Sequence, residues 1–311
     1  MRNIYFLLCF LLLLIGCKEH VDVEYDDFEK KLNINSSFAV GDTIIKVRVN
    51  YSCELGDDYI APVESAAVDL YIDEMLYDRL SYDVFDEIYY TYIDSVMPEK
   101  SYSCIVKVNE DSVRCAFNMP AIPAIYDASL IEMSGVDEEG TSYPAIEFTF
   151  ENNLAEDAYY EVVLKTGGIL YPLIYEIIDP ILLQENLPLA LFSNKNIEGS
   201  SYTMRINFSG NERNNGNGIW FTILLPTVIE LRAVTYDYYL FKRDLYLYDN
   251  SNTSNIFIGS IAAYPIHSNI ENGYGIFTGY APAVYDTLYP STWQHDNKNT
   301  ENLIMKNNIK R

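Results

Sequence analysis

The chain has 311 residues, 49% of them apolar, and a formal net charge of −24. That length and apolar share suit one large or two ordinary domains with real cores. So acidic a chain excludes nucleic acid as a partner, because neutralising phosphates needs clustered lysine and arginine. Tyrosine is abundant at 28 residues. It suits half-buried strands, and its ring also serves as a stacking platform for flat ligands.

The N-terminus places Arg2 before an apolar run from Ile4 to Ile15. A helix that spans a bilayer needs about 20 residues, so this run reads as the apolar region of an export signal. It ends Leu14-Ile15-Gly16-Cys17, which resembles the lipobox of bacterial lipoproteins. The resemblance implies that residues 1–16 are removed and that the Cys17 thiol carries a diacylglyceryl group. Palmitate-length chains, at about 0.8 kcal/mol per buried methylene, then anchor the protein to the lipid bilayer. Residue 18 is lysine, not the aspartate that retains such proteins in the inner membrane. The expected location is therefore the outer membrane, on its periplasmic or its surface face. Residues 17–32 read as the acylated cysteine and a polar tether.

Strand patterns dominate the rest of the first half. They cover 43–52, 66–73, 87–94, 101–108 and 112–119, separated by charged or proline-containing turns. Short strands at this spacing predict an antiparallel sandwich of immunoglobulin or fibronectin type over 33–120. Cys104 and Cys115 face each other if the chain folds back about Asn109-Glu110 with Val108 opposite Asp111. They are disulfide candidates in an oxidising compartment, with free buried thiols as the alternative. "MPAIPAI" (119–125) is a proline-punctuated link. Proline removes a ladder donor, so a domain boundary is expected near 120.

A larger β-sandwich or barrel-like domain is expected over 121–290. Its strand patterns cover 128–135, 145–152, 158–166, 201–209 and 219–234. Pro180 could open a short helix, and the polar run 210–218 reads as a loop tip. Over 235–250 the period changes. Leu240, Phe241, Leu245 and Tyr248 recur at helical spacing behind Thr235, a fitting N-cap. One packed helix is predicted there, with a return to extended structure over 255–267 and a polar tail over 291–311. In "SNIENGYGIFTGY" (268–280), Asn272-Gly273 signals a turn, and Gly275 and Gly279 allow close backbone approach. Sealing the C-terminal domain is the expected role of this segment. The alternative is a contact surface made by Tyr274, Phe277 and Tyr280.

This last segment resembles the C-terminal signature of a Bacteroidetes lipoprotein family, number 4249 in the domain-of-unknown-function series. Other stretches agree in order. They are "APVESAAVDLYID" (61–73), "MPEKSYSCIVKV" (97–108), "NMPAIPAI" (118–125) and "LRAVTYDYYLFKRDL" (231–245). Glu99 stands where the family pattern has glycine. The resemblance implies an all-β, lipid-anchored protein that works beside a TonB-dependent outer-membrane transporter. It implies no activity and no catalytic residues.

Nothing in the chain matches HExxH, GxSxG or a phosphate-binding loop, and no cofactor or metal pattern is present. The histidines are His20, His267 and His295, and a structural hydrogen bond is the expected role of His267. The carboxylates leave a glycan hydrolase open as a third function, behind an accessory or ligand-capture subunit for nutrient uptake and a surface adhesion module. Thr43, Ser95, Ser112 and Thr287 each follow aspartate and precede an aliphatic residue. That pattern resembles the O-glycosylation sequon of this bacterial group.

Overall fold

The structure is a computed structural model that describes residues 30–53, 60–136, 138, 140, 142–166, 174–176, 178–184, 187–209, 211–214, 220–253 and 265–291. The lipobox residues Leu14, Ile15, Gly16 and Cys17, the tether before residue 30 and the tail after 291 lie outside them. Strands of the first half are β1 (Leu32–Ala39), β2 (Ile44–Tyr51), β3 (Ala67–Ile72), β4 (Met75–Arg79), β5 (Ser81–Asp83), β6 (Ile88–Tyr92), β7 (Ser101–Val108) and β8 (Asp111–Asn118). The second half adds β9 (Ile125–Val136), β10 (Ser142–Glu151), β11 (Tyr159–Thr166), β12 (Ile174–Glu176), β13 (Leu191–Ser193), β14 (Ser201–Phe208), β15 (Asn211–Asn214), β16 (Trp220–Ile223), β17 (Thr227–Val234), helix α1 (Tyr236–Thr253) and β18 (Tyr274–Val284). The protein is all-β with a single long helix among the described residues.

An eight-stranded sheet, in the order β13-β11-β17-β18-β1-β2-β6-β5, forms the backbone of the molecule. Two four-stranded sheets, β4-β3-β7-β8 and β12-β14-β10-β9, complete two sandwiches on it. Alternation dictates the cores, because side chains two apart share a sheet face. In β8, Val113, Cys115 and Phe117 are buried while their neighbours are exposed. The first core joins Ile34, Phe38, Val47, Leu70, Tyr102, Val106, Phe117 and Phe277. The second joins Phe148, Phe150, Val162, Leu164, Met204, Ile206, Leu231 and Ala281.

The two cores part at the proline link, and β18 serves both. Phe277 lies in the first core, and Ala281, on the same face four residues on, lies in the second. The strand runs parallel to β1, from Asn33 opposite Tyr274 to Ala39 opposite Tyr280, and antiparallel to β17. Gly279 sits between Phe277 and Ala281 on this face. A Cβ there would collide with the Met119 methyl and come within 2.8 Å of the Phe117 ring. Gly275, at φ +103°, lets the chain lie against the Ile34 carbonyl, closer than any Cβ would allow. Sequence reading makes this segment the seal of the C-terminal domain. It is instead the strand that joins the two halves.

Several local expectations change. No strand is expected over β1, yet Leu32, Ile34 and Phe38 are buried there, with Ser36 between them donating to the Lys46 carbonyl at 2.7 Å. Pro180 opens no α-helix. The Asp179 carboxylate accepts the Ile181 N–H at 2.9 Å and makes a turn. Part of the expected 210–218 loop is β15, paired with β16. Residues 265–270 are irregular, and the rest of the extended stretch expected over 255–267 lies largely outside the described residues. Thr235 does cap α1, accepting the Tyr238 N–H at 3.1 Å. The helix buries Tyr238 and Tyr239 most deeply; of the expected stripe, Leu240 packs against them half-buried, Phe241 and Leu245 are half-buried, and Tyr248 is exposed.

Candidate functional site

Three segments far apart in sequence meet in a cleft of about 790 Å³. Its walls are the link from Asn118 to Ala124, the loop from Glu151 to Tyr160, and the end of β17 with the first turn of α1, Ala233 to Asp237. Each wall is fixed by its own chemistry. The link holds its prolines outside the sheets, and its last carbonyl, Ala124, accepts the Glu151 N–H at 2.9 Å.

The loop wraps a buried pair of asparagines. Asn194 donates to the Asn152 side chain and to the Asn153 and Glu156 carbonyls, and accepts from the Ala158 N–H at 2.9 Å. Asn152 donates in turn to the Ile197 and Gly199 carbonyls. With every amide group used, the loop is held as a rigid wall. On the helix side, Asp237 accepts from His267 Nε2 at 2.8 Å, in the tautomer that carries its proton there, and from Asn269 at 3.3 Å. Asn269 is itself clamped to the backbone of Phe277 through both side-chain atoms. His267 therefore has the structural hydrogen bond expected of it. Among the described residues no serine, threonine or cysteine side chain bonds to it as a nucleophile would.

Aromatic rings floor the cleft. Tyr159 lies 4.8 Å from Tyr236 and 5.0 Å from Tyr239, centre to centre, and Tyr236 is 52% exposed. Ile122 and Leu154 are exposed on the other two walls. Beside Tyr159 a smaller recess holds Lys195, whose ammonium lies 3.3 Å from Asp157 and 5.9 Å from the Tyr159 ring centre.

Under α1 lies a second polar assembly, on the sheet face away from the cores. Arg232 pairs with Glu230 at 2.6 Å and Glu161 at 2.9 Å, and stacks on the Tyr280 ring at 4.5 Å. Lys165 also pairs with Glu230, and Tyr238 donates to Glu161 at 2.8 Å. Burial alone would raise the Glu230 carboxyl, but hydrogen bonds from Lys165 and Arg232 outweigh it and hold it below the ordinary glutamate range. Burial first, then the Glu161 charge, push the Tyr238 hydroxyl well up. Glu230 is buried and Glu161 half-buried, and both carboxylates converge on one guanidinium. Both are spent on Arg232, and neither lines the cleft.

The other residues singled out by sequence are scattered. Cys104 and Cys115 are opposite each other in β7 and β8, as the hairpin predicts, with Asn109 at φ 52° in the turn. Both are thiols, buried, and Cys115 donates to the Cys104 carbonyl at 3.5 Å. The contact surface of Tyr274, Phe277 and Tyr280 does not form. Strand alternation sends Phe277 into the first core and Tyr280 beneath Arg232, and leaves Tyr274 exposed. Thr43 and Ser112 are exposed, while Ser95 and Thr287 are half-buried. No cluster of metal-binding side chains occurs among the described residues, and no described helix is long and apolar enough to cross a membrane. The cleft itself escapes sequence reading. Its one signal is the proline link, which on its own reads only as a boundary.

A search of curated proteins finds no match. A family model described as a domain of unknown function, DUF4249, matches residues 18–286. Since that match takes in both sandwiches and every wall of the cleft, the chain belongs to this family.

Proposed function

We propose that the protein is a non-enzymatic, outer-membrane lipoprotein, anchored through Cys17, that captures a ligand for a TonB-dependent transporter. The cleft carries this reading. It is open, floored by tyrosine rings and walled by rigid segments, and among the described residues no serine, threonine or cysteine side chain bonds to His267 beside it. A concave, partly apolar site of this size is suited to holding a small molecule, which supports capture. A photoreactive residue in place of Leu154, on the exposed rim, tests the reading in cells carrying the full acylated chain. Crosslinks to an outer-membrane channel protein are the expected result. Crosslinks only to copies of itself would overturn the transporter role.

One observation favours a second reading, a surface assembly module. β4 is an edge strand with all five residues exposed, including Met75, Leu76 and Tyr77. An open edge of this kind is a template for strand addition. If it works so, Leu76→Lys abolishes assembly, measured by sedimentation, and leaves the Leu154 crosslink unchanged.

A further inference from the structure

The lining of the cleft determines what chemistry it accepts. Glu151, Glu156, Asp157 and Asp237 line it, and among the described residues no lysine or arginine does. An anionic ligand is therefore repelled. Carboxylates alone would attract any cation diffusely to a chain of net charge −24. The other walls supply the selectivity. The electron-rich faces of Tyr159 and Tyr236 attract an organic cation, and the apolar side chains of Ile122 and Leu154, 51% and 62% exposed, can cover a hydrocarbon stem. The chain shows the arrangement with a group of its own. In the adjoining recess, the Lys195 ammonium lies 3.3 Å from the Asp157 carboxylate and 5.9 Å from the Tyr159 ring centre.

We propose that the cleft binds an alkylammonium ligand, with its charged head against Tyr236 and the carboxylates and its stem along Ile122 and Leu154. This rests on the ligand-capture reading and gives it a chemical class. Both a polyamine and the lysine side chains of a short peptide present that group.

Calorimetry on the full acylated chain in neutral detergent at physiological salt tests it, with spermidine and trilysine as probes. The expected result is saturable binding of at least one probe, weakened ~5-fold or more by Tyr236→Ala and by Glu156→Gln, and unchanged by Tyr77→Ala on the distant β4 edge. Whichever probe binds more tightly identifies the source of the ammonium. Both substitutions fall on exposed side chains, and matching circular dichroism spectra would exclude misfolding. Binding that is equal in wild type and Tyr236→Ala would mean diffuse charge attraction and overturn the proposal. Tyr236-dependent binding of a neutral oligosaccharide such as cellopentaose, with none of the amines, would overturn the class and leave ligand capture standing. Amine binding without channel crosslinks from position 154 would do the reverse, sustaining the class and removing the transporter.

Discussion

Cys104 and Cys115 stand directly opposite each other across the β7–β8 hairpin, and the thiol of Cys115 donates to the Cys104 carbonyl at 3.5 Å. Opposed strand positions bring Cα atoms within disulfide reach. The neighbouring Cys104 thiol first, through a side-chain hydrogen bond, and then burial push the Cys115 thiol well up. Because the thiolate is the attacking species, the folded, reduced protein should oxidise slowly, whereas a chain folding in an oxidising compartment closes the bond early. Under the proposed envelope location, protein isolated from cells is expected to have lost two hydrogens by mass and to gain about 2–3 kcal/mol in stability over its reduced form. Alkylation of both cysteines on denaturing that protein, without reductant, would show that the bond is absent.

Gly279 faces Met119 and Phe117 at distances no Cβ tolerates. Gly279→Ala should cost about 1–3 kcal/mol by overpacking, read as a lower urea midpoint. In a Met119→Ala background, itself destabilised by the loss of a buried side chain, Gly279→Ala should cost less than in wild type, since the nearest clash is with the methionine methyl. A neutral Gly279→Ala would mean that β18 is not pressed against β8.

Glu99 holds φ 58°, in the left-handed region, at the position where the family pattern has glycine. A residue with a Cβ is strained there. Glu99→Gly is expected to stabilise by about 0.5–1 kcal/mol, less than the full strain because glycine also loosens the unfolded chain. The urea midpoint rises if this is right and falls if the Glu99 side chain makes a contact of value.

Removing Arg232 leaves the buried Glu230 and the half-buried Glu161 short of a partner. Arg232→Met should cost about 3–5 kcal/mol, while replacing Glu161, Glu230 and Arg232 together by apolar residues should restore much of it. A pH signature accompanies the cluster. The folded-state value for Glu230 is depressed, so its contribution is present above the usual glutamate range and is lost as pH falls through the folded value. Glu230→Gln should therefore flatten the loss of stability on acidification below about pH 4.5, at the cost of lower stability at pH 7. An acid limb identical to wild type would remove Glu230 from the account.

The antiparallel strands, the β7–β8 hairpin and the Thr235 cap are legible in the sequence because they rest on local rules: alternation, turn residues and an orphan N–H. β1 is harder. Its polar positions carry asparagine and serine, and its buried set includes Ser36, so the apolar beat skips where it matters. The helix stripe misleads for a different reason. α1 packs on a charged layer, so the residues it buries, Tyr238 and Tyr239, are those able to cover polar groups or reach Glu161. The cleft has no sequence signature, since its walls come from residues near 120, 155 and 235 that no periodicity connects.

The parallel pairing of β1 with β18 has a consequence for the life of the chain before it is folded. A strand at the centre of the main sheet waits for a partner made almost at the end of synthesis, with Asn33 seated against Tyr274. Contacts so distant form late and slowly. Until residues near 284 emerge, the first sandwich lacks Phe277 and the two halves lack their seam. The last long strand of the chain is thus the one that completes its first core.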